Sequence, residues 1–205
     1  MKASHQPARS LLAAQLHIMQ AGPGLAAAAL AGASQFVEWR HYPARDVQDK
    51  DAQSRFFYHA HSADERVEGE HGHFHVFVPG NGGTGSFSHL VGISIDPFGM
   101  PMRIFSTNRW VTDETWIDSA GMASRLAGFR IEARGRMAPV AVWITAFVRA
   151  YKDDIGDLLR MRDSAVAKRT RKSSLEQVLE DRTLAVISEK QVSLVDYFQS
   201  TGINQ

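Results

Sequence analysis

Apolar positions change their period twice along the chain, and the changes divide it into three stretches. Between Pro7 and Gln20 they recur at helical spacing, with Leu11, Leu12, Leu16 and Met19 on one side, which predicts a first helix ended by Gly22-Pro23-Gly24. The small-residue tract from Gly24 to Ala33 predicts a second, shorter helix, so residues 1–50 read as a helical N-terminal segment. From Arg55 to Asn108, aromatic and β-branched clusters alternate with Gly, Pro and Asp, the pattern of antiparallel strands and their connections. Four strands are predicted: Arg55 to His61, His71 to Val78, Ser88 to Ile95 and Met102 to Thr107.

After Trp110 the period is helical again. Thr112 or Asp113 can cap a helix through Trp116, Ala120, Ala123 and Leu126 that ends near Gly128. Pro139 opens a long core helix with Val140, Trp143, Ile144, Phe147, Tyr151, Ile155, Leu158 and Leu159 on its apolar face. Ser173 and Glu176 have capping-box spacing, and Leu184 to Ile187 fits a helix or a strand equally well. The expected architecture is α+β: a curved antiparallel sheet of four or more strands, with a partial barrel as a variant, packed by N- and C-terminal helices. The 205 residues fit a single domain, 1–205, on a prior of about 150 residues per domain.

Charge and composition narrow the chemistry. With 23 basic and 22 acidic side chains the formal charge is +1, which gives no global field for nucleic acid or anionic lipid. The basic stretch Arg160 to Lys172 has no interleaved aromatics and reads as a solvated helix face. A small-molecule substrate is therefore expected, with no nucleic-acid or membrane partner. Lys2 and Arg9 precede an apolar run, but Gln15, His17, Gln20 and Pro23 interrupt it, so a cytoplasmic protein is expected. The absence of cysteine excludes disulfides, thiolate metal sites and cysteine nucleophiles, and leaves His, Asp and Glu as metal ligands.

Five of the nine histidines lie between residues 59 and 75. Residues two apart in a strand share a face, so His59 and His61 point one way, and His71, His73 and His75 share a face. If the two strands form a hairpin in which paired residue numbers sum to 134, His59 meets His75, His61 meets His73, and Phe57 meets Phe77. A one-residue slip would mix histidines with Phe74 and Val76. Four neutral imidazoles on one face suit a divalent transition metal such as zinc, iron or copper. Three ligands and an open position would make a catalytic site; four would make a closed structural one. His59, His61, His73 and His75 are thus the expected ligands, and Glu70 a general base or a group that orients a histidine. Asn108 and Arg109 are candidate substrate contacts, Arg109 as a carboxylate clamp, although both also suit a strand-to-helix junction. The functions this supports are a mononuclear metalloenzyme, hydrolytic or lyase-like with zinc and oxygen-dependent with iron or copper; a non-catalytic metal-binding or sensing module; or a pH-responsive interaction domain.

Two resemblances accompany this reading. His59-x-His61 with Glu65 and Gly72 is similar to the first cupin motif, His-x-His-x3-Glu-x6-Gly, but Gln53 replaces its upstream glycine, and the second motif fails around His89, where Thr84 and Ser86 hold its proline and glycine positions. More of the chain resembles a bacterial family known only as a domain of unknown function. That resemblance rests on His41-Tyr42-Pro43 with Asp46 and Asp49, Tyr58 to His61, Glu70 to His75, and Thr107 to Thr112 with Glu114 and Trp116. It implies one folded unit and no particular activity.

Overall fold

The computed structural model describes residues 5–22 and 24–203; Lys2 and Pro23 lie outside the described residues. Helices α1 (Gln6–Ala21) and α2 (Leu25–Ala29) lead into strands β1 (Tyr42–Gln48), β2 (Arg55–His59), β3 (Gly72–Pro79), β4 (Phe87–Ile95) and β5 (Pro101–Thr107). Helices α3 (Arg109–Thr112) and α4 (Ser119–Ala127), a 3-10 turn at Gly135–Met137, and α5 (Ala138–Ala150), α6 (Lys152–Arg169) and α7 (Leu175–Leu179) follow. The chain then returns as β6 (Val186–Gln191) and ends in α8 (Leu194–Thr201). All six strands form one antiparallel sheet in sequence order, β1 to β6, so the sheet is open and the fold is α+β.

Alternation, interrupted by bulges, gives the sheet two buried faces. Phe56, Tyr58, Phe74, Val76, Ile93 and Ile104 join the helical core, where the Phe74 ring lies 6.1 Å from that of Trp143 on α5. The indole Nε1 of Trp143 donates to the buried Gln15 Oε1 on α1, 2.7 Å, so the one polar side chain on the inner face of α1 is satisfied. The opposite face carries Phe57, His59, His73, His75, Phe77, His89 and Phe105, all buried.

Several expected elements are corrected. Residues 42–48, expected within a helical segment, form β1; this is an edge strand with mostly exposed side chains and therefore shows no alternation of apolar residues. The buried stripe of α1 is Ala8, Leu11, Ala14 and Ile18, whereas Leu16 and Met19 are exposed, because the small alanines let α1 lie close to α5. The helix expected from Thr112 starts later: Asp118 accepts from Gly121 N to cap α4, and Trp116 lies in the irregular segment before it, beneath the Arg162 guanidinium at 4.1 Å. The long core helix breaks at Tyr151, whose hydroxyl donates to Ser193 O at 2.9 Å. The capping box is Ser174 with Gln177, one residue after the expected pair, and the ambiguous tail segment runs into strand β6 at Val186. Among the described residues no helix is long and apolar enough to cross a membrane.

Candidate metal centre

The register of β2 on β3 decides which histidines meet. Paired numbers sum to 132, with His59 opposite His73 and Phe57 opposite His75. The expected sum of 134 had the right parity and the wrong position. Alternation alone cannot separate two even registers, since both keep the same side chains on the same face. At the β2 end Gly72 permits the close approach: a Cβ there would fall 2.6 Å from both His59 O and the Tyr58 hydroxyl. β2 then leaves the ladder, because Ala60 O accepts from Trp39 N rather than from β3. His61 consequently stands just beyond the ladder.

Three Nε2 atoms converge. His59 Nε2 lies 2.8 Å from His73 Nε2 and 3.2 Å from His75 Nε2, and the three rings offer ligand atoms all within 4.8 Å of one another. Around a tetrahedral metal with bonds of 2.0–2.1 Å to nitrogen, neighbouring nitrogens sit about 3.3 Å apart. The spacing fits a single ion after a small expansion. Without one, the three rings compete for partners. The single proton or lone pair on His59 Nε2 can serve one of its two partners, so one buried ring nitrogen stays unmatched.

Neighbouring groups hold the far nitrogens. Glu70 Oε1 lies 2.6 Å from His73 Nδ1, its side chain almost fully buried, and Glu70 Oε2 faces Arg103 Nη2 at 3.5 Å. Burial pushes this carboxyl up, but the hydrogen bond and charge of His73, the Ser94 hydroxyl and Arg103 outweigh it and hold Glu70 below the usual carboxylate range. Glu70 therefore sits on the Nδ1 side of His73, away from the converging Nε2 atoms. His75 Nδ1 lies 3.0 Å from His89 Nε2. Burial, with the neighbouring imidazoles, holds His59 down to about 2 and His75 well below its ordinary value; burial and Arg162 hold His89 to about 3. For the ligands His59 and His75 this favours the neutral form a metal needs.

Aromatic rings wall the triad. Phe105 meets His73 and His75 edge-on at 5.2 and 5.8 Å, reaching them across β4 because Gly92 has no side chain: a Cβ there would fall 2.3–2.5 Å from three ring atoms. Phe57 lies 5.0 Å from His75 and Phe77 stacks on it at 6.2 Å. On the solvent side, His41 stacks on Phe57 at 3.7 Å, and the exposed Trp39 stacks on His61 at 4.3 Å. The His61 ring is 5.1 Å from those of both His59 and His73, yet its nitrogens are not among the converging set. The cupin-like partner Glu65 is half-exposed and 4.0 Å from His61 Nδ1.

The other candidates lie elsewhere. His71 turns to the opposite side, against the Tyr58 hydroxyl at 2.6 Å and stacked on Phe36. Asn108 is buried at the head of α3, where its Oδ1 accepts from Arg109 N and its Nδ2 donates to Val178 O. Arg109 is ion-paired with Glu176 and Glu180. Both side chains are engaged in the strand-to-helix junction. His89, by contrast, reaches the cluster through a bulge. The β3–β4 register shifts between Val76 and Phe77, and only that shift puts His89 opposite Phe77 on the histidine face.

An open antiparallel sheet with helices on one face and a buried three-histidine cluster on the other defines the class to which this chain's fold and site assign it. The chain belongs to the family described as a domain of unknown function, DUF6969, whose model matches residues 5–192. No curated protein and no solved structure matches it.

Proposed function

We propose that this chain is a metal-dependent enzyme acting on a small molecule at one divalent transition metal held by the Nε2 atoms of His59, His73 and His75. The observation that carries the reading is the convergence of three buried imidazole nitrogens, in which His59 Nε2 faces two others and can pair with one. Three protein ligands leave a fourth position, on the pattern of catalytic rather than structural sites. Zinc there would supply an activated water for hydrolytic or lyase chemistry, and iron or copper would supply oxygen chemistry. Glu70 acts as a positioning residue: it fixes the ring of His73 and raises its basicity through Nδ1. Asn108 and Arg109 have no part in this reading, since their partners are Val178, Glu176 and Glu180.

A second reading has one observation in its favour. His61 stands at the same ring spacing from His59 and His73 as the triad members stand from one another, 5.1 Å against 4.5–5.1 Å. A rotation of its ring would close the site as a four-histidine, non-catalytic module. A face that charges near pH 6.5 finds no support, because burial keeps His59 and His75 far below that range.

X-ray absorption of the zinc-loaded protein separates the two metal readings. The enzyme reading expects three imidazoles and one water oxygen, unchanged in His61→Ala, with hydrolysis of small activated esters lost in His59→Ala. Four imidazoles, one of them lost in His61→Ala, would establish the closed module instead.

A further inference from the structure

In the triad the far nitrogen of His73 faces a carboxylate, whereas that of His75 faces another histidine. Its contact, His89 Nε2 at 3.0 Å, lies in the interior, since both rings are buried. The backbone of His89 is pinned as well. β5 leaves the sheet at Asn108, so the upper end of β4 has lost its neighbour, and the segment after α3 takes over: Glu114 Oε2 accepts from His89 N, Thr115 N donates to Phe87 O, and Ser88 Oγ donates to Thr115 O. That segment is stapled to α6. The buried Arg162 donates from Nη2 to Ile117 O at 2.7 Å, and Asp163 Oδ2 accepts from Ser119 N at 2.6 Å.

A ring that gives Nε2 to a metal keeps its one proton on Nδ1. For His75 that proton meets His89 Nε2, 3.0 Å away in the buried interior and the acceptor placed to take it.

We infer that His89, pinned by Glu114, is a positioning residue that holds His75 as its Nδ1–H tautomer and so presents His75 Nε2 to the metal, as Glu70 does for His73. The inference rests on the metal reading above and deepens it. The centre stands on two anchors, one just before β3 and one across on β4, and two of its three rings have the far nitrogen held by a partner. Such partners are worth about 10–100-fold in metal affinity.

The test reads tautomer and affinity separately. Long-range proton–nitrogen correlation spectra of the metal-free protein should show His75 protonated at Nδ1 and bare at Nε2. Zinc titrated against a competing chelator should bind His89→Ala at least 10-fold more weakly than wild type, with His75 divided between tautomers. His89→Gln, whose side-chain carbonyl can accept the same proton, should recover most of both. A His75 ring protonated at Nε2 in the wild-type protein overturns the inference, as does a folded His89→Ala that keeps wild-type zinc affinity. If His89→Ala does not fold, His89→Gln and the wild-type spectrum decide. A wild-type protein that takes up no zinc overturns the metal reading instead, and the His75 tautomer then stands or falls on its own spectrum.

Discussion

The two faces of β2, β3 and β4 are equally buried and differ in what burial demands of them. On the helical side Phe56, Phe74, Val76 and Ile93 need only volume and are satisfied by Trp143, Phe147 and their neighbours. On the other side His59, His73, His75 and His89 need directed partners, and Phe57, Phe77 and Phe105 fill only the space between them. An apolar face tolerates a shift in packing at modest cost. A face of buried ring nitrogens does not, because each displaced nitrogen loses its partner outright. One face stabilises the fold; the other is organised around a point between three nitrogens.

The largest effect should come from breaking the apolar side. Phe74→Ala removes a fully buried ring that contacts Trp143 and Tyr58, and should cost about 3–5 kcal/mol in denaturant unfolding. Next comes a pH effect at the rear of the histidine face. Burial, opposed by the His89 hydrogen bond and by Arg162, pushes Glu114 up to about 8. Its folded value lies above its unfolded one, so its contribution is intact at low pH and is lost as pH rises through about 8. Relative to wild type, Glu114→Gln should therefore gain roughly 2–4 kcal/mol between pH 5 and pH 8. A stability difference that stays constant over that interval would show Glu114 to be ionised in the fold.

Two smaller changes act on the histidine side alone. Gly92→Ala drives a Cβ against the Phe105 ring, and should cost about 1–3 kcal/mol while loosening the wall on His73 and His75. Unchanged stability and zinc affinity in that variant would mean that Phe105 has room to move. Glu70→Gln should leave the fold in place, since Arg103 keeps Glu189 at 2.5 Å, and should weaken metal binding about 10–100-fold. A zinc titration with no such loss would remove Glu70 from the centre.

Much of the fold was legible because it follows from period. The strands β2 to β5, the first helix and the Pro139 start all come from alternation, helical spacing and one proline. β1 and β6 were not legible as strands, since Tyr42–Gln48 is an exposed edge and residues 184–187 fit either period. At the site, the shared face of His59, His61, His73 and His75 came from parity, but the two-residue offset that separates His61 from the triad depends on Gly72 and Ala60, which parity does not weigh. The route by which His89 reaches the triad was hidden more deeply. Without the bulge at Leu90, its parity on β4 puts it on the apolar side. Glu114 reaches it from a segment read as helix, and its spacing in sequence carries no trace of that contact.

The central claim is that the triad binds one metal ion, and elemental analysis tests it most directly. Protein expressed without a histidine tag and purified without chelator, then dialysed against zinc, iron or copper, should carry close to one equivalent of metal. His59→Ala combined with His75→Ala should carry none. Wild-type protein that stays metal-free after all three dialyses, or a double variant that binds as well as wild type, would contradict it.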